Sequence, residues 1–238
     1  MKKVLFGTWL QIPSPTVARI VAYSMFDWIC VDLEHGAINL ETMTEMFINI
    51  QAVSMHNTKW ACRVPNHDPS IIARVLDIGV EYLIVPKVNY IDEAIAIIKA
   101  AKYPPKGDRG VGFCGANAYG NLEVGTNKVK IIIQIEDIRA FDDLEAMINL
   151  PSIDGAFIGP LDLQKSIKPE NFMNEYAVAL ATFEKVVSKT GKLMGIHDIY
   201  PTEETTTTLI KSGYNFIALG VDTSILSQAI YSIRYTKD

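Results

Sequence analysis

The sequence predicts an α/β protein folded as a closed (β/α)8 barrel of the TIM type. Three observations predict it. Eight short apolar runs recur along the chain, a helix-patterned segment stands between most successive runs, and the 238 residues approach the roughly 250 that such barrels commonly use. The apolar runs lack the polar alternation of a half-solvated sheet, as parallel strands buried on both faces should. An open doubly wound sheet is the competing arrangement. It is weakened because FGTW stands where a GxGxxG turn would follow the first strand. No linker divides the chain, so residues 1–238 are expected to form one barrel domain, with a closing helix at about 224–235.

Taken in order, residues 4–10 form the first strand and 15–24 the helix after it. Ser14 is placed to cap that helix, and Pro15 suits its first position, where no amide is needed. Strand 28–33 stops at Glu34-His35-Gly36. Helix 40–55 carries Leu40, Met43, Phe47, Ile48, Ile50 and Val53 at helical spacing. Strand 59–64 has Arg63 near its end and Pro65 behind it. Helix 69–78 and strand 82–85 follow, the strand closed by Pro86. Helix 90–102 leads into a long Pro/Gly-rich connection, 103–127. Strand 131–135, a helix near 138–149 and strand 156–158 come next, and Gly159-Pro160 breaks the last of these, leaving Asp162 in the following loop. Helix 175–189, strand 193–196, helix 202–212, strand 216–219 and helix 224–235 complete the pattern.

Composition removes several functions. A net charge of -5 without any Lys/Arg run offers no basic face to nucleic acid. No apolar segment reaches the roughly 18 residues of a membrane span. The opening MKKVLFGTWLQIPSP has too short an apolar run for a signal peptide, so a soluble, cytoplasmic protein is expected. Cys30, Cys62 and Cys114 are widely spaced, which is neither a disulfide framework nor a zinc cluster; they are expected to be small buried apolar residues. His56 and His67 are expected in surface loops.

In such barrels the chemistry gathers at the carboxyl ends of the strands. Those ends carry Trp9, then Glu34 and His35, Arg63, Pro86-Lys87, Gln134 with Glu136, Asp162, and His197-Asp198. Glu136 and Asp162 each stand just past a buried strand, where a carboxylate is costly without a partner, and a divalent cation is the obvious one. Solvated loop residues or helix caps are the plainer alternative for each. Carboxylates, a cation and a histidine from separate strands at one mouth argue for an enzyme. Lys87 admits a Schiff-base mechanism as a second possibility, and the roles of His197 and Asp198 stay open between pocket and structure.

GTWLQIPSP, FDWICVDLEHG, RVPNHDP, LDIGVEYLIVPKV, KYPPKGDRGVG, QIED and DGAFIGPLDL occur in an order that resembles the HpcH/HpaI aldolase family, metal-dependent class II pyruvate aldolases. The resemblance is close over about residues 5–163 and continues beyond only as barrel pattern. It implies that Glu136 and Asp162 hold a divalent cation (Mg2+, Mn2+ or Co2+), in keeping with oxygen-rich open coordination. It implies Arg63 beside the enolate, His35 as acid/base on the aldol hydroxyl, and Asp77 as the carboxylate orienting that histidine. Gln134 would touch the oxo group, Trp9 would pack on the pyruvate unit, and amides near Gly159, Leu161 and Asp162 would hold the substrate carboxylate. The implied reaction cleaves or forms a 4-hydroxy-2-oxo acid from a small 2-oxo acid and an aldehyde or oxo-acid acceptor, in a trimer or hexamer. Less usual members of the family suggest a condensing enzyme joining an enolate to another oxo acid, as in citrate synthesis. QKSIKPENF departs from the family after IGPLDL, and Lys87 replaces a common methionine. A non-catalytic metabolite-binding barrel is the alternative of another class.

Overall fold

Eight parallel strands pair in chain order and close on themselves: β1 (Leu5–Leu10), β2 (Trp28–Asp32), β3 (Lys59–Arg63), β4 (Tyr82–Val85), β5 (Lys130–Ile135), β6 (Gly155–Ile158), β7 (Leu193–Asp198) and β8 (Phe216–Val221). The computed structural model describes residues 3–54, 57–125, 128–169 and 172–234; His56, Met55, Asn127 and Tyr235 lie outside them. The helices between and after the strands are α1 (Pro15–Ala22), α2 (Leu40–Val53), α3 (Pro69–Ile78), α4 (Ile91–Ala101), α5 (Leu144–Asn149), α6 (Pro160–Ser166), α7 (Phe172–Thr190), α8 (Glu203–Lys211) and α9 (Asp222–Arg234).

Local chemistry sets the helix starts. Ser14 accepts from the Val17 amide, Asn39 from Thr42 and Asp68 from Ser70, each satisfying an amide that the helix itself leaves unpaired. Gly79 ends α3 in the left-handed region, at a φ of 111°. Two expectations need correction. The helix expected near 138–149 is a 3₁₀ turn, Ile138–Phe141, followed by the short α5. Asp162 lies not in a loop but in the first turn of α6, because Pro160 starts a helix as readily as it ends a strand.

Side chains alternate between the barrel interior and the helix layer. The register advances two residues at every second strand, which is the shear of eight of this barrel class. Inward residues therefore stack in layers of four from alternate strands. From the bottom, Trp28, Tyr82, Gly155 and Phe216 form one layer, Gly7, Ala61, Ile132 and Gly195 the next, and Cys30, Ile84, Phe157 and Ala218 the third. These make a continuous apolar core inside the barrel. Glycine is required where rings cross the axis: a Cβ on Gly7 would stand 2.0 Å from the Trp28 ring, and one on Gly195 2.3 Å from Phe157. The Trp28 and Phe216 rings stack with centroids 4.2 Å apart. Above this dry floor the fourth layer is Trp9, Arg63, Gln134 and His197. Three of its four members are polar.

Candidate active site

Burying an arginine is unfavourable unless its charge is paired. Arg63, 9% exposed, meets this with a forked pair to Asp32 on the neighbouring strand: Nε donates to Oδ1 at 2.8 Å and Nη2 to Oδ2 at 2.7 Å. Its guanidinium carbon lies 4.6 Å over the Trp9 ring, and Nη1 is 3.3 Å from Glu34 Oε2. Asp32 is fully buried, which alone would raise its pKa, but the Arg63 guanidinium holds it below the usual carboxylate range. The same carboxylate accepts from Gln11 Nε2 at 2.9 Å and from the Glu34 and His35 amides at 3.1 and 3.4 Å. Asp32 thus fixes both the arginine and the turn carrying Glu34 and His35.

Glu136 is buried one residue past β5. Its Oε1 accepts from Gln134 Nε2 at 2.7 Å and its Oε2 from the Lys87 amide at 3.0 Å. Burial first, then the negative charges of Glu34 and Asp162, push its pKa up to about 7 against the opposing charge of Arg63. Gly159 makes room for it: a Cβ there would stand 2.8 Å from Glu136 Oε1. Asp162 is exposed and lines the same cavity of about 390 Å³ as Trp9, His35, Arg63, Gln134, Glu136 and His197. Among the described residues no group of three His, Cys, Asp or Glu side chains converges as a metal cage. The acid pair nevertheless fits a divalent cation: its donors are all oxygen, two carboxylates leave positions open, and the excess negative charge around Glu136 is what a cation relieves. Trp9 Nε1 and Gln134 Oε1 are buried without a protein partner, polar atoms that a bound oxo acid can satisfy.

The other expected residues are placed as follows. The His35 side chain is 55% exposed at the mouth, with Nε2 3.9 Å from Glu34 Oε2. Asp77 is in the last turn of α3, which runs against the strands and so ends at the opposite, amino-terminal side of the barrel. There its Oδ1 accepts from Arg109 Nη2 at 2.6 Å, so within one chain it does not orient His35; the carboxylate beside His35 is Glu34. The Gly159 amide is committed to Ile135 O at 2.9 Å and cannot hold a substrate carboxylate. The Leu161 and Asp162 amides precede the first bond inside α6, from Leu163 N to Gly159 O, and stay available.

Lys87 Nζ lies 2.8 Å from Glu34 Oε1, and that pairing raises its pKa, the reverse of what an imine-forming amine needs. Asp198 accepts from Thr205 Oγ1 at 2.6 Å and ties β7 to α8. His197 Nε2 is 3.0 Å from Gly220 O, and the ring lies 5.9 Å from Trp9. Sequence reading gave no role to Asp32 and no pocket assignment to His197. Strand parity could have supplied both, since Trp28, Cys30 and Asp32 alternate inward, as do Leu193, Gly195 and His197.

With this geometry in view, a family model described as HpcH/HpaI aldolase/citrate lyase matches residues 5–229. Two similar curated proteins are 2-keto-3-deoxy-L-rhamnonate aldolases from Escherichia coli and Shigella sonnei. Each is 33% identical over 236 residues, covering 96% of this chain and 86% of the relative. Among solved structures, an HpcH/HpaI aldolase/citrate lyase family protein from Burkholderia cenocepacia aligns with a TM-score of 0.88 and 27% identity, covering 98% of this chain and 95% of that one. Macrophomate synthase shares the fold, with a TM-score of 0.85 and 24% identity over 97% of this chain and 83% of its own.

Proposed function

The chain belongs to the HpcH/HpaI aldolase/citrate lyase family of carbon-carbon lyases, and from that membership we propose that it cleaves or forms a 4-hydroxy-2-oxo acid through a pyruvate-type enolate. The observation that carries this reading is the polar fourth layer, with Arg63, Gln134 and Trp9 at the base of one cavity that Glu136 and Asp162 also line. A divalent cation held by Glu136 and Asp162 would supply the Lewis acidity that makes a 2-oxo acid enolisable. Arg63, permanently charged and locked by Asp32, stabilises the oxyanion that forms at C2 without having to reorganise. Gln134 orients the oxo group, the Trp9 ring packs on the three-carbon unit, and the Leu161 and Asp162 amides receive the C1 carboxylate. The proton of the 4-hydroxyl is moved by His35 at the mouth, where the acceptor carbon must leave. The name of the curated relatives, a 3-deoxy-2-keto sugar acid aldolase, favours aldol cleavage over condensation with a second oxo acid. Homo-oligomeric assembly is supported by α9, which exposes Ile225, Leu226 and Ile230.

The test is solvent deuterium exchange into the methyl group of pyruvate, followed by NMR with added Mg2+, Mn2+ or Co2+ and again after EDTA. Metal-dependent exchange that disappears in Arg63→Ala, with cation binding retained, is the expected result. Exchange that survives EDTA, or that Arg63→Ala leaves unchanged, overturns the mechanism.

A further inference from the structure

His197 is the member of the fourth layer to which the reaction above gives no work. It stands on β7, opposite Arg63 on β3, with the Trp9 ring beside it and the apolar third layer beneath. Its Nε2 lies 3.0 Å from the Gly220 carbonyl oxygen, which can only accept. The ring hydrogen is therefore on Nε2, and Nδ1 presents a bare lone pair. Among the described residues Nδ1 has no hydrogen-bond partner, and His197 lines the cavity. Burial, assisted by the charge of Arg63 and opposed by Asp198 and Asp32, pushes the imidazole down to about 4, so at neutral pH it stays an acceptor.

An acceptor at the base of a pocket discriminates by chemistry. A methyl group leaves it unsatisfied, a carboxylate sets negative charge against its lone pair, and a hydroxyl pairs with it. Only the most deeply inserted part of a ligand reaches this layer, and in an aldol site that is the enolising donor; the acceptor enters over it.

We propose that His197 accepts a hydrogen bond from a hydroxyl on C3 of the donor, which makes the donor a 3-hydroxy-2-oxo acid of the hydroxypyruvate class and the aldol a 3,4-dihydroxy-2-oxo acid. The proposal rests on the enolate reading of the site. In cleavage the C3–C4 bond breaks, the 4-hydroxyl loses its proton, the electron pair enters the C2–C3 enolate, and C3 takes up one proton. No oxidant or reductant is involved.

Exchange of C3 hydrogens with deuterium, measured with Mg2+ and without aldehyde for hydroxypyruvate and pyruvate and corrected for the enzyme-free rate, tests this. Wild type is expected to favour hydroxypyruvate in kcat/KM by about tenfold or more, the scale of one hydrogen bond lost or left unmade. His197→Leu removes the acceptor and should lower that ratio at least about tenfold. His197→Gln, whose amide can still donate to Gly220 O and accept through Oε1, should retain the preference, and thermal unfolding of each variant checks the fold. An unaltered ratio in His197→Leu, or a wild-type preference for pyruvate, overturns the assignment while the enolate reading stands. A hydroxyl preference seen only between glycolaldehyde and acetaldehyde as acceptors also overturns it, because the contact would then lie on the other substrate. Exchange of neither donor removes the enolate reading and the assignment with it.

Discussion

Replacing Asp32 by asparagine tests whether the buried arginine is held as described. Asparagine keeps one acceptor oxygen of the two that Arg63 uses at 2.8 and 2.7 Å. Its amide nitrogen then faces an N–H of Arg63 or of Gln11, two donors with no acceptor between them, and turning the amide over only moves the conflict. Arg63 has little water to turn to. Breaking one side of a buried pair costs about 3–5 kcal/mol, about a fifth or more of the roughly 5–15 kcal/mol of a folded domain. For a chain of this size that is roughly 6–20 °C in Tm. Urea unfolding at pH 7 measures it directly. The sign with pH follows from the lowered carboxyl pKa: the wild-type advantage is full above the ordinary value of 3.8 and disappears as pH falls through the lower folded value. The gap between the two proteins should therefore hold from pH 7 to about pH 4 and narrow below. Asp32→Leu combined with Arg63→Met should recover most of the stability and none of the exchange activity. A single variant within about 0.5 kcal/mol of wild type at pH 7 would refute the reasoning.

Four further outcomes are expected. Gly159→Ala, whose Cβ would meet Glu136 Cγ at 2.7 Å, should fold but bind divalent cation about 10–100-fold more weakly in calorimetric titration. In EDTA, stability should fall as pH rises from about 4.5 to 7, because folded Glu136 keeps a proton that the unfolded chain releases; saturating Mg2+ should remove this decline, read as Tm against pH. His35→Ala should slow carbon-carbon cleavage about 10²–10⁴-fold in a stopped-flow assay of aldehyde release. Borohydride with pyruvate should leave the intact mass of the protein unchanged, since Lys87 is a paired ammonium; a trapped adduct on Lys87 would restore the imine mechanism.

Where a residue type acts through the backbone, the sequence is legible to the residue. The bounds of α3 and β4 are as expected, because Asp68-Pro69 opens the helix, Gly79 ends it and Pro86 closes the strand. The apolar run, by contrast, measures burial and not hydrogen bonding. β7 and β8 continue two residues beyond it, to Asp198 and Val221, since His197, Asp198 and Gly220 interrupt the hydrophobic pattern while the ladder goes on. Asp143 shows the same limit from the other side. Its carboxylate accepts from the Ile91 amide at 2.9 Å, a tertiary bond at the junction of the 3₁₀ turn and α5 that no local pattern announces.

The site followed the same division. Residues at strand ends could be listed from the sequence, because closure brings all eight ends to one mouth. Motif resemblance then assigned them roles, but a motif carries residue identity and not direction. In alternating strands and helices the mouth receives the carboxyl ends of strands and the amino ends of helices; the last turn of any helix lies on the far side. That rule alone places Asp77, in the last turn of α3, away from the mouth of its own barrel, and it admits Asp162 in the first turn of α6. Parity adds the rest. Asp32 pairs in register with Arg63 and both point inward, so the two charges meet at the same height of the barrel wall, and a charge buried there forces its partner into view.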